Sequence, residues 1–186
     1  MVKRERFYSS FLSIVSLFLL TPYSPYPVPC NLSSTVRAVV QRVSEARVQV
    51  DEQVVGQIGR GLLILLGICS SDTKAEAEYL SDKIVGLRIF SDDAGKFAFS
   101  VQDVRGEILI VSQFTLYGDI RKGRRPSFTE AAGIDIALPL YKYFVECVKR
   151  HQVPVATGQF QATMTVQLVN DGPVTLIIES TRRGNE

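Results

Sequence analysis

TVQLVNDGPVTLIIES, residues 165–180, decides how the C-terminal part of this chain folds. TVQLV on the left and VTLIIES on the right are rich in β-branched and apolar residues, the composition of strands. Between them stands Gly172-Pro173. Proline cannot donate to a sheet ladder and glycine weakens a strand. Two readings follow. One is a hairpin turn between two strands. The other is a rigid piece of backbone aimed at a ligand. A cis X-Pro bond lies only about 0.5–1 kcal/mol above trans, so the sequence leaves the isomer open. In the cis form, two successive carbonyls would lie side by side and face outward, as an acceptor pair with no side chain to adapt.

Working outward, VPVATGQF and TMTVQLV read as further strands, and the 17 residues from Asp135 to His151 read as a helix. Leu138, Tyr141, Phe144, Val145 and Val148 share one face of it, and Pro139 falls near its first turn, where proline is tolerated. EILIVSQFTLYGD (107–119) begins as a buried strand and ends in polar residues. LRIF (87–90) reads as a short strand and DDAG (92–95) as a turn. Thr73 with Glu76 forms a capping-box signature before a stripe of Tyr79, Leu80, Ile84 and Leu87. LLILLGIC (62–69) is continuously apolar, as a strand buried on both faces must be. VVGQI, ARVQV and VRAVVQRV complete the strands. The sum is about eight strands and two main helices. Most strand-to-strand links are too short for crossovers, so the expected class is an α/β fold of the α+β type, with antiparallel β-rich sheets and two main helices.

The chain has 186 residues, 46% of them hydrophobic and 22% charged, which suits one globular domain. Residues 1–35 stand apart from it. A basic KRER precedes the apolar run FYSSFLSIVSLFLL and the proline-rich TPYSPYPVPC, a pattern of signal-peptide or short-anchor length. Residues 36–186 read as a cytosolic domain with no membrane partner. Once the three basic and one acidic residues of 1–35 are set aside, 36–186 hold 18 of each sign. Any nucleic-acid contact must then come from a local patch and not a global field. Cys30, Cys69 and Cys147 have no ligand spacing, so neither a disulfide framework nor a metal site is expected. No Gly-rich phosphate loop is present, and no cofactor is expected.

Side-chain catalysis finds little support. There is no GxSxG or HExxH, and the single histidine, His151, ends an amphipathic helix, where it suits the helix dipole better than general-base work. The candidates are polar groups at a strand end. In an alternating strand, Ser112 and Phe114 would share one face and Gln113 and Thr115 the other. These groups and their backbone N–H donors suit a substrate carbonyl. A few residues on, RKGRRPS places Arg121, Lys122, Arg124 and Arg125 in one loop. It is either a solvated surface loop or a phosphate-binding patch. Its place beside the strand end favours a substrate with a phosphate backbone and a small reactive end.

SQFTL (112–116) and NDGPVT (170–175), together with RAVVQRV, LLGI, LRIF, VQDVRGEILIVSQFTLYGD, RKGRRPSF and the TGQF segment, resemble the D-aminoacyl-tRNA deacylase family, in its order and spacing across essentially all of 36–186. The resemblance implies a cytoplasmic homodimer that hydrolyses the ester between a D-amino acid and the 3′-terminal adenosine of tRNA, and also glycyl-tRNA mischarged on tRNA(Ala). It implies that Gly172 and Pro173 form a cis motif that reaches across the dimer and rejects L-amino acids, with Arg42 fixing that motif. Backbone N–H groups around Phe114 and Thr115, within Ser112-Gln113-Phe114-Thr115, would polarise the ester carbonyl. Phe160 and Met164 would contact substrate, and Arg121, Lys122, Arg124 and Arg125 the tRNA. The terminal 2′-OH of the tRNA would assist water attack. The side chain of Thr115 as nucleophile ranks second, because no base is visible to activate it.

Two departures stand out. Many members of that family have GxFGAxM where this chain has GQFQATM (158–164), so Gln161 replaces a glycine. Members usually begin near MRAVVQRV, and here Val36 stands in place of that methionine. Residues 1–35 are therefore expected to be an upstream extension lying before the true start, with a targeting segment as the competing reading. A tryptic peptide from within 7–35 in the native protein would exclude the first. Two other functions stay open: a nucleic-acid-binding module without hydrolysis, and a relative editing L-alanyl-tRNA with a trans Gly-Pro.

Overall fold

The computed structural model describes residues 35–180. The chain order is β1 (Arg37–Val50), β2 (Gln53–Ile58), β3 (Gly61–Gly67), α1 (Lys74–Val85), β4 (Phe90–Ser91), β5 (Phe97–Phe99), β6 (Glu107–Ser112), a 3-10 turn (Phe114–Tyr117), α2 (Ile134–Arg150), β7 (Val155–Thr157) and β8 (Thr165–Glu179). The expected α/β class with two helices and a largely antiparallel sheet holds. The reading of 1–35 falls outside the described residues except at Thr35, which is buried and whose carbonyl accepts from the Tyr117 hydroxyl.

The spine is β1. One of its edges is shared: β3 pairs with its first half (Arg37↔Gly67 to Val43↔Gly61) and β2 with its second (Ala46↔Ile58 to Val50↔Gln53). Asp51 and Glu52, both at positive φ, close the β1–β2 hairpin in the manner of a type I′ turn. Beyond β3 the pairing changes to parallel. β3 pairs with β6 in parallel, and β6 with β7 in parallel. The links are long enough for crossovers, because α1 lies between β3 and β6, and α2 between β6 and β7.

The sheet curls until β2 meets β7. A Cβ added to Gly56 would lie 2.4 Å from the Thr157 carbonyl oxygen, so only glycine permits this approach. The curl explains why β3 is apolar throughout. Leu62, Ile64 and Leu66 face a core shared with Leu80 and Ile84 of α1 and Phe144 and Val148 of α2. Leu63 faces a second core inside the curl with Val43, Val48, Leu109 and Val111.

The capping box opens α1 as expected: the Thr73 hydroxyl accepts from the Ala75 amide at 3.3 Å, and the Thr73 amide donates to Glu76 Oε2 at 2.8 Å. Tyr79 is not on the buried stripe. It is 44% exposed, because the packed face runs through Ala77, Leu80 and Ile84, and Tyr79 sits a third of a turn away. Pro139 is the sixth residue of α2, past the first turn, and leaves the Asp135 carbonyl without its i+4 amide. LRIF forms a strand only at Phe90, where β4 pairs with the unanticipated β5.

Of the two readings of 165–180, the hairpin is excluded. No hairpin forms at Gly172-Pro173. Both halves run antiparallel to the same strand, from Arg37↔Glu179 to Gln49↔Thr165. Between Gln41↔Thr175 and Val43↔Asn170, β1 advances two residues while β8 advances five, so residues 171–174 swell out of the ladder. The Gly172–Pro173 peptide is cis.

Gly56→Ala is expected to cost about 1–3 kcal/mol, read as a lower urea midpoint at unchanged m-value. Gly59→Ala, where the nearest atom to a new Cβ is Glu107 Oε2 at 3.7 Å, should be near neutral.

Candidate active site

β6 delivers Ser112 to the end of the sheet, where its ladder with β3 stops at Leu66↔Ser112. The Gln113 amide makes one more bond, to the Leu66 carbonyl at 2.7 Å. With no partner strand beyond, the chain winds into the 3-10 turn, closed by Leu116 N–H to Gln113 C=O (3.4 Å) and Gly118 N–H to Thr115 C=O (3.0 Å). Strand alternation across 112–115, expected from the sequence, therefore ends at Ser112. The Phe114 and Thr115 amides lead the turn, where no carbonyl within it can accept from them.

Three braces hold this turn. The Phe114 ring meets the edge of Phe128 with centroids 5.1 Å apart. Tyr117 is buried, its hydroxyl on Thr35, and burial pushes its phenol well above the ordinary tyrosine range. Arg37 donates to the Leu116 carbonyl at 3.2 Å and lies 4.9 Å over the Tyr117 ring. Its Nε sits 2.8 Å from Glu179 Oε1, as an ion pair off the line of a hydrogen bond.

Beside the turn opens a cavity of about 590 Å³. Its lining includes Ser112, Gln113 and Phe114 from the end of β6 and the turn, Leu66, Ile68 and Val111, and Phe160, Gln161, Ala162 and Met164 from the segment before β8. Phe160 is steadied by the Tyr141 ring at 5.6 Å. The cavity thus gathers Ser112, Gln113, Phe114, Phe160 and Met164 from the expected set. It is not lined by Thr115, Arg42, Gly172, Pro173 or the basic loop. The Thr115 hydroxyl accepts from the Gln113 side-chain amide, a group with no basicity to offer a nucleophile.

The swelling in β8 is anchored at its base. Arg42 is 7% exposed, and its Nε lies 3.0 Å from both the Asp171 carbonyl and Oδ2. Its Nη1 donates to the Ile89 carbonyl, and its guanidinium lies over the Phe90 and Phe97 rings. Asn170, absent from the sequence-based candidates, completes the anchor: its Nδ2 donates to the Arg42 carbonyl (2.7 Å) and the Val174 carbonyl (3.3 Å). The signal was available in the asparagine's place one residue before the Asp-Gly-Pro run. Gly172 and Pro173 are exposed. A Cβ on Gly172 would meet nothing nearer than Asn170 Oδ1 at 3.5 Å, so this chain's own packing does not demand a glycine there.

The basic loop closes on itself through an Asp119↔Ser127 bridge with bonds of 2.8 and 2.9 Å. Arg121 grips Asp119 through Nε (2.9 Å) and Nη2 (2.8 Å) and so acts as the loop's anchor. Lys122, Arg124 and Arg125 are exposed. His151 bonds Asp82 at 2.8 Å on the helical side. Among the described residues, no three His, Cys, Asp or Glu side chains gather as a metal site, and no helix is long and apolar enough to cross a membrane.

Residues 39–179 match the family model for D-Tyr-tRNA(Tyr) deacylase. The chain belongs to this family. It is 56% identical over 147 residues to the D-aminoacyl-tRNA deacylase of Thermotoga petrophila, a match covering 79% of this chain and 99% of that one. The enzyme of the same name from Chloroflexus aurantiacus is 59% identical over 145 residues, covering 78% of this chain and 91% of the relative. Among solved structures, the c-Myc DNA Unwinding Element Binding Protein is similar at 42% identity and a TM-score of 0.73, over 78% of this chain and 99% of that one. One described as a probable eukaryotic D-amino acid tRNA deacylase shares the fold at 19% identity and a TM-score of 0.69, over 78% and 99% of the two chains. In this deacylase-family chain, the cavity, the 3-10 turn and the anchored swelling all lie within the matched region.

The Arg121 hydrogen bonds hold the Asp119 carboxyl down at about 2. A group with a depressed folded pKa contributes above its unfolded value near 3.8 and loses that contribution as pH falls through about 2. The Asp119 carboxyl signal in NMR should therefore not titrate until well below pH 3.8, and Arg121→Ala should return it toward that value.

Proposed function

We propose that the protein hydrolyses the ester between a D-amino acid and the 3′-terminal adenosine of tRNA, and likewise glycyl-tRNA carried on tRNA(Ala). The observation that carries this reading is the cavity lined by Phe114 at the head of the Phe114–Tyr117 turn, with the neighbouring Thr115 hydroxyl held by an amide and not by a base. Water attacks the ester carbonyl carbon. The Phe114 and Thr115 N–H groups stabilise the oxyanion that develops. The bond to the ribose 3′-oxygen breaks, that oxygen takes a proton, and free amino acid and tRNA leave. The terminal 2′-OH assists the attacking water, so no protein nucleophile is needed.

Chirality is read by backbone. Gly172 and Pro173 do not line their own chain's cavity, so the filter serves the cavity of a second copy in a homodimer. The exposed apolar residues of β8, with Val169 at 51% and Ile177 at 76%, suit such a partner. Glycyl esters pass because glycine has no side chain on the excluded side. Lys122, Arg124 and Arg125 take tRNA phosphates while Arg121 holds their loop. A nucleic-acid-binding module without hydrolysis is the second reading, favoured by the 42% identity to a protein named for binding a DNA unwinding element.

D-Tyrosyl-tRNA and L-tyrosyl-tRNA offered side by side should separate the readings. The proposal expects rapid loss of the D ester with the L ester spared, and salt-dependent binding with neither cleaved would support the second. Thr115→Ala should stay within about tenfold of the parent, since it removes no group made essential by the transition state. Abolition in a folded variant would point instead to a threonine nucleophile. Arg124→Ala and Arg125→Ala should each lower the salt slope of tRNA binding by about 0.7–1.

A further inference from the structure

The β4–β5 hairpin forms a two-stranded sheet of its own, off the main sheet. Its turn is built around Asp92. The Asp92 amide donates to the Lys96 carbonyl and the Gly95 amide to the Asp92 carbonyl, each at 2.9 Å. Asp92 Oδ1 accepts from the Ala94 amide at 3.0 Å and the Lys96 amide at 2.9 Å. Gly95 completes the turn at φ 77°, a conformation that suits glycine. The register between Phe90↔Phe99 and Ser91↔Phe97 is irregular, as at a β-bulge, a feature that re-aims side chains. A turn bonded this fully fixes where Phe97 stands.

Phe97 is 57% exposed, so its own burial does not explain its place. Its ring centroid lies 5.7 Å from the Arg42 guanidinium carbon. The hairpin and the residue before it meet Arg42 at three points: the Ile89 carbonyl, the Phe90 ring and the Phe97 ring. Ile89 and Phe90 also belong to the core shared with α1 and α2, and Phe97 does not. A ring face attracts a guanidinium most strongly where water is kept away, and Arg42 is almost wholly buried. Arg42 Nε in turn lies 3.0 Å from the Asp171 carbonyl, at the base of the Gly172-Pro173 swelling. A ring beside the guanidinium resists its rotation and keeps water from competing for Asp171.

We infer that Phe97 is a positioning residue: it holds the Arg42 guanidinium, and through Arg42 it holds the backbone of 171–174 in the shape that separates D from L esters. The β4–β5 hairpin is then an arm that carries this ring. The link to chirality rests on the proposed reading of Gly172-Pro173 as the filter. Phe97 touches no reacting atom in this account.

The test compares Phe97→Ala, Phe97→Tyr and Phe99→Ala in the full chain. The first readout needs no substrate. It is the exchange with water of the Arg42 Nε proton by NMR, assigned by the loss of its signal in Arg42→Lys. A cation–π contact at a desolvated guanidinium corresponds to about a three- to tenfold change in an equilibrium, so Phe97→Ala should speed this exchange by about that factor. Phe97→Tyr keeps the ring face and should preserve the parent rate. Phe99→Ala, on the same strand, should also preserve it. Phe97→Leu keeps apolar bulk without a ring face, and it decides the matter if Phe97→Ala does not fold. Unchanged exchange in the variant lacking the ring, or equal acceleration in Phe99→Ala, would overturn the inference. The second readout is the ratio of D- to L-tyrosyl-tRNA deacylation, which should fall by about the same three- to tenfold in Phe97→Ala and hold in Phe97→Tyr. A ratio that holds in Phe97→Ala despite faster exchange overturns the coupling to the filter if Gly172→Phe is inactive. It overturns the filter reading itself if Gly172→Phe stays active.

Discussion

The ladder between β1 and β8 fails for four residues, and Arg42 is the side chain that holds the gap in shape. Its charge is almost wholly buried, so it needs partners in place. The partners are the Asp171 carbonyl and carboxylate, the Ile89 carbonyl and the aromatic faces of Phe90 and Phe97. Asn170 ties the Arg42 carbonyl to Val174 from the other side. The interruption is therefore a fixed shape whose exposed apex is Gly172-Pro173. Everything proposed for chiral discrimination depends on that apex being rigid and free of side chains.

The same economy appears on the reacting side. The 3-10 turn presents backbone amides, and side chains of Arg37, Tyr117 and Phe128 hold it from behind. Polar side chains near the reacting groups are few and neutral. A site made of main-chain groups cannot be tuned to one amino-acid side chain, which suits the proposed acceptance of many D residues and exclusion of their mirror images.

Local signals in the sequence were read well. The capping box at Thr73–Glu76, the two-faced burial of Leu62–Leu66 and the amphipathic second helix all appear where their patterns place them. What failed depends on partners distant in sequence. A Gly-Pro pair looks like a hairpin until β1 is seen to run past both sides of it. SQFT looks like more strand until β3 is seen to stop at Gly67. Parallel pairing of β3 with β6 is invisible to a count of short links, because the two strands are separated by a helix and a small hairpin. Of the site, the Ser112–Phe114 rim and the Phe160–Met164 wall were legible. The roles of Asn170 and Arg37 were not, since each acts through contacts across the sheet.

The central claim is that the Gly172-Pro173 backbone of one copy filters substrate in the cavity of another. Two variants, each expected to be inactive alone, test it most directly: Gly172→Phe, which would spoil the filter a chain supplies, and Ala162→Trp, which would fill a chain's own cavity. In mixed dimers, the cavity of the Gly172→Phe chain faces the intact filter of the Ala162→Trp chain. The account predicts that D-tyrosyl-tRNA deacylation returns when the two are co-expressed. Mixed dimers that form and stay inactive would contradict it.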